Sequence, residues 1–455
     1  MSETASIKSQ NNKYGIIEGV IWKQLLLFFF PMLIGSFFQQ LYNTADAVVV
    51  GQFVGKEALS AVGGTTGTII NVLVGFFIAM SSGATVIISQ YYGARKEEDV
   101  GNAVHTSLAL AIVGGAIIMV VGLIVAPFAL RAMNTPEDIM PYSLTYIRIY
   151  FYGLIPNLVY NIGAGILRAI GDSKRPLYFL IISCFVNIAL DLFFVVTLKM
   201  GVAGAATATI ISQLLSAILV CLSLSRSLDS YQLKVINIRF HKKILKRIFS
   251  IGLPAGFQTL MYTSSNIIIQ SFINGYGTDT VAAWTSYAKI DIFFWMVISS
   301  FGISLTTFVG QNYGAGLKAR IRKGVRTCLV IASGTTILIS IILYFFGIYL
   351  LYLFTKDSDV IEKGMIILRY LVPTYITYVC IEIYSSSLRG MGSTLIPLIM
   401  TGIGVCVLRV VWLFTAVPIN PDFRTILFSY PLTWAATSIM FIIYYQIFVR
   451  KQKIY

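Results

Sequence analysis

The sequence predicts an all-α polytopic membrane protein in which twelve transmembrane helices form two parallel six-helix repeats. Three observations carry that prediction. Apolar residues fill 57% of the 455 positions and charged residues only 12%, a composition foreign to soluble domains. Apolar runs of more than about 20 residues, enough to cross a hydrocarbon layer about 30 Å thick, recur from end to end. The second half also repeats the first at a separation of 221 residues.

Bounded by charges and by Gly or Pro turns, the apolar runs place helices at 24–51, 59–91, 101–130, 139–166, 177–198, 202–226, 247–273, 281–312, 325–354, 360–388, 395–417 and 425–449. They do not alternate apolar with polar over segments of about ten residues, which sets a β-barrel aside. The opening MSETASIKSQNNKYGIIEGVIWKQ is polar for too long to read as a cleavable signal, so the first span is expected to stay. All five cysteines lie in apolar segments with no CxxC spacing and read as small core residues.

The net charge of +15 has a topological explanation. With twelve spans both termini share a side. That side collects 24 of the 34 lysines and arginines, among them Lys8, Lys13 and Lys453, against 6 on the other side, while Arg148, Lys289, Arg369 and Arg409 fall within helices. The bias predicts a multi-pass protein of a bacterial inner or plasma membrane with cytoplasmic termini, and it accounts for the charge without a nucleic-acid partner. HKKILKR at 241–247 reads as a solvated inner-face segment able to touch anionic lipid.

At the 221-residue offset, SQYYGARKEEDVGNA (89–103) pairs with GQNYGAGLKARIRKG (310–324), LRAIGDSKRPL (167–177) with LRGMGSTLIPL (388–398), and Arg148 with Arg369. The expected organisation is an N-terminal lobe at 1–226, a basic cytoplasmic linker at 227–246 and a C-terminal lobe at 247–455. An even number of spans per lobe makes the two lobes parallel, a design suited to alternating access around a cavity. Pro31 with Gly35, and Gly252, Pro254 and Gly256, sit near the starts of corresponding helices, where bending could open and close a lobe.

These motifs carry a family resemblance. PMLIGSFFQQLYNTADAVVVG (31–51), SQYYGA (89–94), GAGILRAIGDSKRP (163–176), GLPAGFQTLMYTSSNIIIQ (252–270) and GQNYGA (310–315) resemble the multidrug and toxic compound extrusion (MATE) transporters over nearly the whole chain. The resemblance implies a V-shaped bundle of two six-helix lobes, functional as a monomer, that expels drugs and organic cations in exchange for sodium ions or protons, with no other cofactor. It also places the family's first-helix aspartate on Asp46 and the Asn and Asp of a fifth-helix pair on Asn187 and Asp191. Another subgroup relies on a seventh-helix glutamate, and the nearest position here holds Tyr262.

The residues themselves point the same way. An isolated ionised carboxylate costs several kcal/mol at membrane depth, so Asp46, Asp191, Asp291 and Glu382 each require water, a partner or a proton. Asp46 follows Gln39, Gln40, Tyr42, Asn43 and Thr44, a polar row that would be wasted against lipid. Asn187 and Asp191 stand one helical turn apart on one face, where they could coordinate a hard cation such as Na⁺ together with Asp46, or relay a proton. Gln40, Tyr42, Asn43, Asn157, Asn161 and Thr207 could complete either arrangement, and the coupling ion stays open. The competing reading of the same polar groups is a hydrogen-bond network that only holds helices together.

In the second lobe Gln258, Tyr262, Ser265, Asn266 and Gln270 form a polar row on helix seven without an acid, and Gln258, Tyr262 and Asn266 are expected to line the substrate path. Lys289 and Asp291, two residues apart, do not share a face; Lys289 is expected to pair with an acid such as Glu382 or to snorkel, and Asp291 and Glu382 to line the substrate path. Phe37, Tyr42, Tyr262, Trp284, Tyr287, Trp295 and Tyr378 are the candidate aromatic wall for lipophilic cations. Arg148 and Arg369, at duplicated positions, are expected to share a structural role, tying a helix to backbone carbonyls.

No Walker loop accompanies the glycine turns, so ATP is not the expected energy source. His105 and His241 lie near the cytoplasmic side without a metal cluster or catalytic dyad, which disfavours an intramembrane hydrolase. The expected function is therefore secondary active export of small lipophilic cations or drugs. The alternative is a flippase for a lipid or lipid-linked precursor, which would be expected to present a larger cationic cavity; a passive channel sits poorly with duplicated broken helices.

Overall fold

The computed structural model describes residues 15–451, and among them all regular structure is helical. Lys8, Lys13 and Lys453, which belong to the basic-side count, lie outside the described residues. The first six spans are α1 (Ile21–Phe53), α2 (Lys56–Gly93), α3 (Glu97–Ala132), α4 (Met140–Tyr152 and Leu154–Ala169), α5 (Lys174–Thr197) and α6 (Gly201–Ser225). The second six are α7 (Lys242–Asn274), α8 (Thr278–Gly314), α9 (Lys318–Leu351), α10 (Ser358–Gly390), α11 (Leu395–Ile419) and α12 (Phe423–Lys451). Ten of these are long and apolar enough to cross a membrane. The other two are α4, divided at Gly153, and α7, whose apolar content is diluted by basic residues and by its polar row.

Contacts divide the chain into one unit at Phe30–Gly256 and another that joins Phe257–Tyr455 to the residues up to Phe29. The first unit thus includes the 227–246 connection. Both boundaries fall beside a proline inside a long helix, Pro31 in α1 and Pro254 in α7, where the ring removes a backbone hydrogen bond.

The duplication seen in sequence recurs in packing. In the first unit α4 packs on α2, α3 and α6; in the second α10 packs on α8, α9 and α12. These central helices are interrupted at matching places, α4 at Gly153 and α10 by the tighter turn Val372–Thr374. The early parts of α1 and α7 also land on matching positions, Phe301 and Met80. Phe29 stacks on Phe301 with centroids 4.0 Å apart. A Cβ on Gly252 would collide with the Met80 carbonyl, lying 2.9 Å from its carbon and closer still to its oxygen. Small residues are what let two membrane helices approach this closely.

Large apolar side chains cover the outer faces, for instance Val120, Ile124 and Phe128 on α3 and Ile341, Phe345 and Tyr349 on α9. Apolar surface of that extent belongs in lipid. The two arginines at duplicated positions depart from expectation: Arg148 and Arg369 are exposed and make no hydrogen bond among the described residues, so neither ties a helix to carbonyl groups. Their long stems let the guanidinium reach a polar phase without a protein partner.

Candidate functional site

Each unit buries a polar cluster inside an apolar framework. In the first unit the cluster draws on α1, α4, α5 and α6. Asp46 of α1 is 4% exposed, and Asn187 and Asp191 of α5 are wholly buried. The carboxyl group of Asp46 stands beside the side chains of Asn187 and Asp191. Thr209 of α6 donates a hydrogen bond to Asp46 Oδ2 at 3.1 Å and shares the same hydroxyl with the Ala205 carbonyl. Tyr42, Tyr146 and Tyr150 are electrostatic neighbours of Asp46.

Few of these polar groups are satisfied by protein. Among the described residues, Asp46 Oδ1, both oxygens of Asp191, both amide atoms of Asn187 and the Tyr42 hydroxyl are buried without a partner. Buried polar atoms are paired in all but a few cases, so such a cluster marks a place where something else supplies the bonds. Two carboxyl groups side by side, out of water, require a shared proton or a cation between them. The donor set is all oxygen: two carboxylates, the Asn187 amide carbonyl and the Thr209 hydroxyl. That set suits a hard monovalent cation as well as a proton. Asp191 closes the regular part of α5, and the next six residues, Leu192–Thr197, form a wider π-helical stretch. Such widened turns are frequent at functional sites.

The other residues expected at this site are placed differently. Asn43 is exposed and Gln40 half-buried on α1. Asn161 donates to the backbone and side-chain oxygens of Asn157, so its amide NH2 is spent within α4. Thr207 donates to Ala203 of its own helix, and Thr209 takes the place at Asp46. Two residues along a helix rotate a side chain by about 200°, so Thr207 and Thr209 cannot share a face. The signal for Thr209 is its spacing with Ser212 and Ser216, all three buried on one side of α6.

In the second unit the cluster is aromatic. Tyr375 of α10 donates to Asp291 Oδ1 at 2.5 Å, and Trp295, one turn along α8, donates to Oδ2 at 2.7 Å. Tyr375 also lies 3.1 Å from the Tyr287 hydroxyl and stacks on Phe294 at 4.0 Å. Tyr378, Trp434, Tyr430 and Trp284 continue the wall, with Trp295–Tyr378 at 4.8 Å and Trp284–Tyr287 at 5.3 Å. Sequence reasoning misses Tyr375, Tyr430 and Trp434 as site residues, because single aromatics in apolar runs carry no periodic mark.

Tyr262 borders Tyr378 and Glu382. Gln258 donates to Thr401 at 3.0 Å and accepts from Arg389 at 3.4 Å. Glu382 accepts from Ser386 at 3.2 Å and faces Arg389, and Lys289 is exposed and does not pair with it. Asn266 and Phe37 are exposed, outside either cluster. No group of three or more His, Cys, Asp or Glu that could hold a metal ion occurs among the described residues.

Repeated membrane helices, with Asp46 and Asp191 buried in the first unit and Asp291 and Glu382 half-buried in the second, suit a transporter fold. The MatE family model matches residues 31–193 and again 254–415, and the chain belongs to that family. A relative described as probable multidrug resistance protein YoeA of Bacillus subtilis is 28% identical over 450 residues, covering 95% of each chain. The multidrug export protein MepA of Staphylococcus aureus (strain MSSA476) is 21% identical over 87% of this chain and 88% of its own. Among solved structures, a MOP superfamily transporter from Pyrococcus furiosus, described as having a binding pocket of reverse polarity, aligns with TM-score 0.91 at 24% identity over 97% of this chain and 98% of its own. A MATE crystal structure in a bent conformation aligns with TM-score 0.90, also at 24% identity, over 96% and 97%. The relatives and the fold are those of MATE-type multidrug efflux transporters.

Proposed function

We propose that this protein exports small lipophilic organic cations across a bacterial inner or plasma membrane, as a monomer with cytoplasmic termini, in exchange for protons or sodium ions. The observation that carries the reading is the juxtaposition of Asp46 and Asp191, both buried, with three of their four carboxylate oxygens unpartnered among the described residues. Binding an ion or a proton there neutralises the pair and stabilises the helix arrangement that brings α1, α5 and α6 together; release restores the charge and disfavours it. A ligand shifts such an equilibrium only through its differential affinity for the two states, and a site complete only when α1 meets α5 supplies that difference. Asp291 with Trp295, Tyr378 and Trp434 offers an aromatic wall of edge-to-face rings beside one negative charge, the chemistry that accepts varied lipophilic cations. The multidrug names of the relatives agree with this cargo.

The test is uptake of tetraphenylphosphonium into everted vesicles under an imposed proton or sodium gradient. One gradient should drive accumulation, and Asp46→Asn should abolish the gradient dependence. Accumulation under neither gradient, or an Asp46→Asn protein indistinguishable from wild type, sinks the reading.

A further inference from the structure

The charge that the second unit leaves unbalanced is an arginine. Arg409 of α11 is 2% exposed, in the middle of an apolar helix. Its one hydrogen bond among the described residues runs from Nη2 to Thr433 Oγ1 at 3.1 Å, its guanidinium lies 4.2 Å from the centroid of the Tyr430 ring, and its Nε–H has no acceptor. Its other electrostatic neighbours are Cys406, Tyr262 and Tyr378, none of them a carboxylate.

The two acids of the same lobe interior are already engaged. Asp291 has both oxygens taken by Tyr375 and Trp295, and Glu382 is held by Ser386 and faces Arg389. Tyr430 is an electrostatic neighbour of both Asp291 and Arg409, so it stands between the lobe's negative and positive groups without their meeting. A guanidinium taken out of water costs several kcal/mol unless an anion meets it. A cation–π contact and one hydroxyl return only part of that. The lobe therefore supplies a cation and, among the described residues, no counter-charge for it.

We propose that Arg409 is an anion subsite in the C-terminal lobe, and that the favoured cargo is zwitterionic, presenting a carboxylate or phosphate to Arg409 and a cationic aromatic or ammonium part to Asp291 and its aromatic wall. The planar fork of an arginine matches two oxygens of such a group at once, which an ammonium cannot do. The subsite rests on the transport reading above and narrows its substrate class. Arg409 sits two residues past the π-helical stretch Gly402–Val407, a place where α11 can re-register and turn the side chain.

The test is equilibrium binding to the purified protein, read as tryptophan fluorescence quenching. Three probes are used: ciprofloxacin, a zwitterion; its methyl ester, which keeps only the cation; and tetraphenylphosphonium. Wild type should bind the acid about tenfold more tightly than the ester, a difference of about 1.4 kcal/mol. Arg409→Met should remove that preference and leave tetraphenylphosphonium binding unchanged, and Arg409→Lys should restore it only in part. Glycerophosphocholine, titrated against ciprofloxacin, identifies the source of the anion: displacement assigns it to a lipid headgroup, and its failure to displace assigns it to a soluble carboxylate.

Equal binding of acid and ester by wild type overturns the proposal, and so does an equal loss of all three probes in a folded Arg409→Met protein, which would mark a structural arginine. Should Arg409→Met not fold, the acid-to-ester comparison in wild type and in Arg409→Lys decides. Gradient-driven tetraphenylphosphonium uptake that persists while the acid shows no advantage would leave the transport reading standing and remove only the subsite.

Discussion

Thr209 on α6 donates to Asp46 on α1 at 3.1 Å, and among the described residues it is the one formed hydrogen bond between these two helices at the buried acid pair. The partner oxygen Asp46 Oδ1 has none. A hydrogen bond to a charged group contributes about 1.5–3 kcal/mol. Thr209→Val should therefore shift the ion concentration at half-maximal transport by about tenfold or more. Binding of tetraphenylphosphonium at equilibrium without a gradient should change little. An unchanged ion dependence would mean that Thr209 only packs.

The sequence makes the acids legible and leaves their companions obscure, for a physical reason. A carboxylate in an apolar run is costly wherever it points, so Asp46, Asp191, Asp291 and Glu382 stand out by their chemistry and position alone. A threonine is not costly, because it can satisfy itself on its own helix, as Thr207 does on Ala203. Only the facing of α6 toward α1 separates Thr207 from Thr209. The twelve spans, the duplication and the helix-breaking prolines are readable because length, period and φ restriction are local properties. The exposure of Arg148, Arg369 and Lys289 is not, since a charged side chain at membrane depth can snorkel or pair, and sequence does not distinguish the two.

Gly252 gives a steric prediction. A Cβ there would lie 2.9 Å from the Met80 carbonyl carbon and closer still to its oxygen, both backbone atoms that cannot swing aside. Gly252→Ala must push α7 away from α2, and overpacking of this kind costs about 1–3 kcal/mol. Gly35 has only side-chain atoms of Leu177 and Leu180 near its would-be Cβ, each at 3.8 Å. Thermal unfolding in detergent should show a drop of several degrees for Gly252→Ala and almost none for Gly35→Ala. Equal shifts would refute the close approach.

Asp291→Asn tests whether cargo and ion use separate clusters. It lies in the second unit, whereas Asp46 and Asp191 lie in the first. Asp291→Asn keeps a group that Tyr375 and Trp295 can bond and removes only the charge. Removing the carboxylate charge that faces a bound cation should raise the KM for tetraphenylphosphonium about tenfold, about 1.4 kcal/mol. The ion dependence of transport should stay at the wild-type value. A shifted ion dependence with an unchanged KM would reverse the assignment of the two clusters.

The 227–246 connection supplies a pH dependence. It is stitched to α3 at two adjacent residues. The Lys234 amide donates to His105 Nε2 at 3.1 Å, and the His241 amide donates to Thr106 Oγ1 at 3.2 Å, with His241 Nδ1 3.1 Å from the same oxygen. Burial, then the Arg239 charge and the neighbouring His105, hold the His241 imidazole below its ordinary range. The attached connection therefore binds fewer protons than the detached one, so attachment is fully favoured above the usual histidine value of about 6.5 and weakens as pH falls through it. Hydrogen–deuterium exchange of the 229–241 segment, corrected for the intrinsic rate, should show protection falling between about pH 7.5 and pH 5.5 in wild type. His241→Gln keeps a polar side chain that does not titrate and should flatten that fall. The same slope in both proteins would mean that His241 does not control the attachment.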